Sequence, residues 1–246
     1  MTEDPELNFD VLNRLVNHLE HKIFQATEVD ESNYYKNIDL VEKKLIHNAY
    51  CAWETALENQ FVTDLNSGKA FCYQQYILNK RFERLLCRET SMLKGKNIKK
   101  ALFIGSGPVP ISAIWLNHYL QVPVDGIDIC SKSIDFSTKL INQLDLSDQI
   151  NLMHQPNGNY DVSEYDVIII ALLAKPKSLI LDNIYKTMNE NCEIICRTSF
   201  GLRHILYEAT SVSLDLHDKF SIDDTRVVIG KGEDTISSLL LGKTDD

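Results

Sequence analysis

The apolar residues of this 246-residue chain change their spacing near residue 97, and that change restricts the fold more than any other feature. From Phe9 to about Leu93 they recur at intervals of three and four, as in Leu12, Leu15, Val16, Leu19 and Ile23 and again in Leu40, Val41, Leu45, Ile46 and Ala49. That is the period of helices with one buried face. Strong punctuation falls only at Glu31-Ser32-Asn33 and Asn66-Ser67-Gly68, so three or four helices with short connections are predicted. After Lys94-Gly95-Lys96-Asn97, short apolar runs alternate with helix-length segments. These are Ala101–Ile104 then Ala113–Tyr119, Val124–Ile129 then Ser131–Leu144, Ile150–Met153, Val167–Ile170 then Lys177–Met188, and Glu193–Arg197 then Leu202–Tyr207. Strands separated by helices indicate a parallel sheet wrapped by helices. Thr225–Ile229, the turn from Gly230 to Asp234 and Ile236–Leu241 read as a closing antiparallel hairpin. The expected fold is α/β: a Rossmann-like domain over residues 98–246, preceded by an all-helical domain over residues 1–97.

Charge and cysteine usage narrow the partners. Lys and Arg total 25 against 35 Asp and Glu, a net charge of −10 that would repel a phosphate backbone, so no nucleic-acid partner is expected. Six cysteines lie scattered without a CxxC pair, and the start MTEDPELNFD is acidic where a signal peptide needs a basic then apolar run. A cytoplasmic protein with reduced thiols is expected. The longest apolar runs, such as Val167 to Ala174, are too short for a membrane span.

The first strand-to-helix turn of an open α/β sheet is the usual cofactor platform, and Gly105-Ser106-Gly107 occupies it. A short Gly-x-Gly also occurs in tight structural turns. The third glycine of a dinucleotide fingerprint would fall at Pro110, which argues against NAD. Asp128, ending the next strand, is placed to accept hydrogen bonds from ribose hydroxyls. Together these features fit a fold that binds S-adenosylmethionine (SAM). Ala171 and Leu172, at the end of the fourth run, are small and apolar enough to pack along a cofactor. Lys175 and Lys177 are expected at the surface beside Pro176, and His154 is expected to be structural. No group of His, Cys or acids has metal-ligand spacing, so no catalytic metal is expected.

Taken in order, "FIGSGPVPIS", "VDGIDI", "YDVIIIALLAKPK", "ICRTSFGLRHILY" and the terminal hairpin resemble the nicotianamine synthase family. That family includes plant and archaeal enzymes and bacterial synthases of staphylopine-type opine metallophores. The prolines after the glycines belong to its pattern. "FCYQQYILNKRFERLL" is similar to its Tyr-x-x-Tyr segment with an acid seven residues on, which places Tyr73, Tyr76 and Glu83. "WETALENQF" is similar to the short helix carrying an essential glutamate. That glutamate aligns with Glu58, and Glu54, one turn away on the same face, stays open.

The resemblance implies a helical lid over a Rossmann-like domain, and a reaction other than methyl transfer. The amine of an acceptor attacks the γ carbon of the SAM aminocarboxypropyl group, and methylthioadenosine leaves. It implies cofactor contacts from Gly105, Ser106, Gly107, Pro108, Asp128, Ile129, Ala171 and Leu172. The family's usual adenine-reading aspartate is replaced by Pro156, so Gln155 or Asn157 is the expected substitute acceptor. An α-amino group has a reference pKa of about 8, so a base must lie within reach, and Glu58 with Tyr76 is the expected catalytic pair. Glu54, Tyr73, Glu83, Arg197 and Tyr207 are expected around the acceptor, with Arg197 clamping a substrate carboxylate. The rival readings are an ordinary class I methyltransferase and a catalytically inactive SAM-binding module. A homodimer is an open expectation.

Overall fold

The computed structural model describes residues 9–27, 39–69, 72–207, 209–210 and 218–244. Three α-helices precede the sheet in these residues: α1 (Phe9–Gln25), α2 (Leu40–Asn66) and α3 (Asn79–Met92). Each follows its apolar stripe, α1 burying Leu12, Val16 and Ile23, α2 burying Tyr50, Trp53, Leu57 and Phe61, and α3 burying Leu85, Leu86 and Met92. Asp39 caps α2 by accepting from the Val41 amide at 3.3 Å. The expected break at Asn66-Ser67-Gly68 ends α2, whereas Glu31-Ser32-Asn33 lies outside the described residues.

Among the described residues, seven strands form one sheet in the order β3-β2-β1-β4-β5-β7-β6. They are β1 (Ala101–Ile104), β2 (Val124–Asp128), β3 (Ile150–His154), β4 (Val167–Ile170), β5 (Glu193–Thr198), β6 (Phe220–Arg226) and β7 (Ser237–Lys243). The first five are parallel, and β7 runs antiparallel between β5 and β6. Helices α4 (Ile111–Leu120), α5 (Ser131–Gln143) and α6 (Lys177–Thr187) cross between strands. β1, β4 and β5 are buried along their whole length, which is why β1 and β4 read as continuous apolar runs rather than alternating ones. The chain reverses its winding between β1 and β4, opening a crevice at their carboxyl ends.

Leu12, Trp53 and Leu85 share one core with Phe103, Leu116 and Ile195, so the helical segment packs directly on one face of the sheet. The other face, with Ile168, Ile170 and Ile194, is covered by Leu181 and Ile184 of α6. Several element bounds differ from the sequence expectation, and three of the differences have a clear physical cause. α4 begins at Ile111 rather than Ala113, because Pro110 sits at its N-cap, where no amide proton is needed. The helix expected over Leu202–Tyr207 is a single 3-10 turn, Gly201–Ile205; Ser199 Oγ donates to the Tyr207 carbonyl at 2.8 Å and folds the segment back onto β5. The outer hairpin strand starts at Phe220, not Thr225, and Val227 and Ile229 fall in a long connection. Arg203 donates to the Gly230, Gly232 and Asp234 carbonyls of that connection at 2.9, 3.3 and 3.2 Å.

Candidate active site

At the carboxyl ends of β1 and β4 the chain leaves the sheet through two loops that touch. Gly105 has φ +86°, and a Cβ there would lie 3.0 Å from Ala171 Cβ and 3.2 Å from Ala174 Cβ, so glycine alone fits. Gly107, at φ +65°, faces α2: Glu58 Oε1 lies 3.5 Å from where its Cβ would be. Asp128 braces the turn, accepting from the Gly107 amide through Oδ2 and from the Cys130 amide through Oδ1, both at 2.9 Å. Ser106 Oγ is buried and has no hydrogen-bond partner among the described residues, a polar group suited to a ligand atom.

Helix α2 closes the crevice from above. The resulting cleft has a volume of about 110 Å³ and stays partly open to solvent. Glu54, Glu58, Tyr76 and Tyr207 face Gly105, Gly107, Ala171 and Leu172 across it. The two carboxyls lie one helical turn apart and are partly withdrawn from solvent. Burial, then the neighbouring charges of Glu54 and Asp128, push Glu58 up to about 8. Burial also raises Glu54, to about 7, against the opposing effects of the Tyr207 hydrogen bond and the Arg81 charge. The Tyr207 hydroxyl donates to Glu54 Oε1 at 2.5 Å. Burial and the Glu58 and Glu54 charges hold the Tyr76 hydroxyl well above the usual phenol range, so it stays protonated. Its ring tilts against Phe61 at 5.4 Å.

A buried cluster outside the cleft supports this arrangement. Arg81 donates to both oxygens of Glu20 at 2.8 and 2.9 Å and to the Tyr50 hydroxyl at 3.1 Å. The Tyr50 hydroxyl donates to Glu20, and its ring meets Tyr207 edge-on at 5.0 Å. Two carboxyls titrating near neutrality, in a partly desolvated cleft beside a phenol donor, are equipped to orient an ammonium group and remove its proton.

Of the residues singled out in the sequence, Glu54, Glu58, Tyr76, Gly105, Ser106, Gly107, Ala171, Leu172, Arg197 and Tyr207 meet at the cleft. Pro108 continues the glycine turn toward α4. Ile129, Gln155 and Asn157 sit outside the enclosed part, at the exposed ends of β2 and β3, where the Gln155 amide donates to the Asp128 carbonyl at 2.9 Å. Tyr73 and Glu83 do not line the cleft; Tyr73 packs edge-on to Trp115 at 5.8 Å, and burial, then the Glu83 charge, raises its hydroxyl pKa.

Two expectations are corrected. Arg197 was expected to clamp a substrate carboxylate, but both its Nε and Nη2 donate to the buried Glu89 carboxylate at 2.9 Å, and Nη1 donates to Ser112 Oγ at 3.0 Å. Glu89 also accepts from Ser238 at 2.7 Å. The guanidinium charge is neutralised before any substrate arrives, so Arg197 fastens α3, α4 and β5 together under the cleft. Lys177 was expected at the surface, but its ammonium is tucked inward and donates to the Ala171 and Leu172 carbonyls at 2.6 and 3.0 Å. Glu89 escaped the sequence reading, although a carboxylate on the apolar Leu85-Leu86-Met92 stripe is itself a sign of a buried partner.

The sequence model of the family described as nicotianamine synthase protein matches residues 6–245. Nicotianamine synthase 2 of Arabidopsis thaliana is 29% identical over 118 residues, a stretch that is 44% of this chain and 37% of that enzyme; the chain thus matches little more than a third of that relative's length. A glutamate-to-glutamine mutant of MtNAS, solved in complex with S-adenosylmethionine, superposes with a TM-score of 0.81 at 24% identity, over 97% of this chain and 93% of that one. MtNAS has also been solved in complex with MTA and tNA, with a TM-score of 0.82. The mitomycin 7-O-methyltransferase MmcR shares the sheet fold more loosely, with a TM-score of 0.51 at 10% identity over 70% of this chain and 55% of that one. Because the family model spans nearly the whole sequence, this chain belongs to the nicotianamine synthase family.

Proposed function

We propose that this protein is an aminocarboxypropyl transferase: it moves that group from SAM to an amine acceptor and releases methylthioadenosine, in the making of a nicotianamine-like or opine-type metallophore. The observation that carries this reading is the pair of half-buried carboxyls, Glu54 and Glu58, set with Tyr76 opposite the glycine turn. An incoming ammonium must be both bound and deprotonated, and membership of the nicotianamine synthase family favours aminocarboxypropyl over methyl transfer. SAM supplies the transferred group and its leaving group. Gly105 to Pro108, Asp128, Ala171 and Leu172 would hold it, with Ile129, Gln155 and Asn157 on the adenosine side. The partnerless Ser106 Oγ and the side-chain-free face of Gly105 are features such a ligand fits.

Glu58 takes the amine proton, Glu54 offsets the remaining charge and the Tyr76 hydroxyl oxygen accepts from an amine N–H to fix the approach. Residues 1–97 act as the lid and 98–246 as the SAM-binding half. A cytoplasmic setting is part of this reading. All six cysteines are free thiols, and no described helix is long and apolar enough to cross a membrane. The test is incubation with SAM and individual amino acids, followed by mass measurement. Methylthioadenosine plus an acceptor heavier by one aminocarboxypropyl unit is expected; S-adenosylhomocysteine as the product would establish a methyltransferase instead.

A further inference from the structure

The loop that leaves β4 walls the cleft through Ala171, Leu172 and Leu173. Three of its carbonyls converge on one cation. Lys177 Nζ lies 2.6 Å from Ala171 O, 3.0 Å from Leu172 O and 3.5 Å from Ala174 O, so its three protons have three acceptors. Lys177 is the first residue of α6, where the helix dipole disfavours a positive charge. A lysine held there is not explained by helix formation. On its other side the loop is pressed against the glycine turn, because the Ala171 and Ala174 methyls fill the space beside Gly105. The cleft wall is therefore gripped between Gly105 and the Lys177 ammonium.

We propose that Lys177 is a positioning residue: its ammonium gathers the Ala171, Leu172 and Ala174 carbonyls and so holds the β4 exit loop in the shape that binds SAM. This rests on the SAM-dependent reading above. The lysine touches no reacting atom. With its ammonium removed, three carbonyls lose their common donor, and the loop rearranges to find others.

The test is calorimetric titration of the full-length protein with SAM. Lys177→Ala should weaken the dissociation constant at least tenfold, while turnover at saturating SAM falls less than threefold. Millimolar n-propylammonium should restore the binding of Lys177→Ala and leave the wild type unchanged. Reading rescue as affinity rather than turnover prevents a small amine that acts as acceptor from counting. An unchanged dissociation constant, or a weakened one that n-propylammonium fails to restore, overturns the proposal. Should Lys177→Ala not fold, Lys177→Met keeps the stem volume, and unchanged SAM affinity in that variant overturns it equally. A wild type that binds SAM without releasing methylthioadenosine refutes the proposed reaction instead, since the affinity comparison does not depend on turnover.

Discussion

Exchanging Glu58 for glutamine keeps the side-chain shape and removes the carboxylate beside Gly107 to which the proposed reaction assigns the amine proton. A carboxyl with a pKa of about 8 is ionised in roughly one molecule in ten at pH 7 and one in a hundred at pH 6. The wild-type rate should therefore rise about tenfold per pH unit below pH 8 and level off above it. The acceptor amine titrates in both proteins, so the ratio of wild-type to Glu58→Gln rates isolates the glutamate. That ratio should climb to roughly 100–10,000 on the plateau, the range of a general base, or about 3–5 kcal/mol of barrier. Glu54→Gln supplies the sign test. The Glu54 charge is the second cause, after burial, of the raised Glu58 pKa, so removing it should move the inflection to lower pH, while loss of the charge that offsets the ammonium lowers the plateau rate. Methylthioadenosine release measured from pH 6 to 9.5 reads all three proteins. A Glu58→Gln enzyme within a few-fold of wild type, or one that keeps the inflection, would refute the assignment; a collapse confined to Glu54→Gln would make Glu54 the base.

The buried Arg197–Glu89 pair predicts a stability effect without a charge in the cleft. Glu89→Gln alone should cost about 3–5 kcal/mol in denaturant unfolding, because it strands the guanidinium, whereas Arg197→Met with Glu89→Leu should recover most of that loss. Equal destabilisation by the single and double changes would show that the pair is not the cause. The raised pKa values of Glu54 and Glu58 also predict how the ligand-free protein melts. Between about pH 4.5 and 8 the folded state binds more protons than the unfolded chain, so the stability these groups contribute is present in acid and lost as pH rises. The Glu54→Gln, Glu58→Gln double variant should melt several degrees above wild type at pH 8.5, with the gap closing toward pH 5. Parallel melting curves at both pH values would count against the raised values.

Much of the architecture is local information. The switch from helical spacing to short apolar runs marks where the sheet begins, and the uninterrupted "ALFI" and "VIII" runs mark strands covered on both faces. Gly105 and Gly107 announce a turn that no other residue could make, and Glu54 and Glu58 share a helix face by their spacing alone. The register of the last hairpin was less legible, because its connection is held by Arg203, a residue from before β6. The sequence by itself determined the fold class and the glycine turn at which the cleft opens, because periodicity and backbone conformation act between near neighbours, whereas the resemblance to the family singles out Glu54 and Glu58. Only the tertiary structure decided what the charges do. Arg197 finds Glu89 across 108 positions, Lys177 turns inward to carbonyls, and burial lifts two carboxyls into the neutral range. The pairing and desolvation of charges depend on distances and solvent access set by packing, and sequence spacing does not report either.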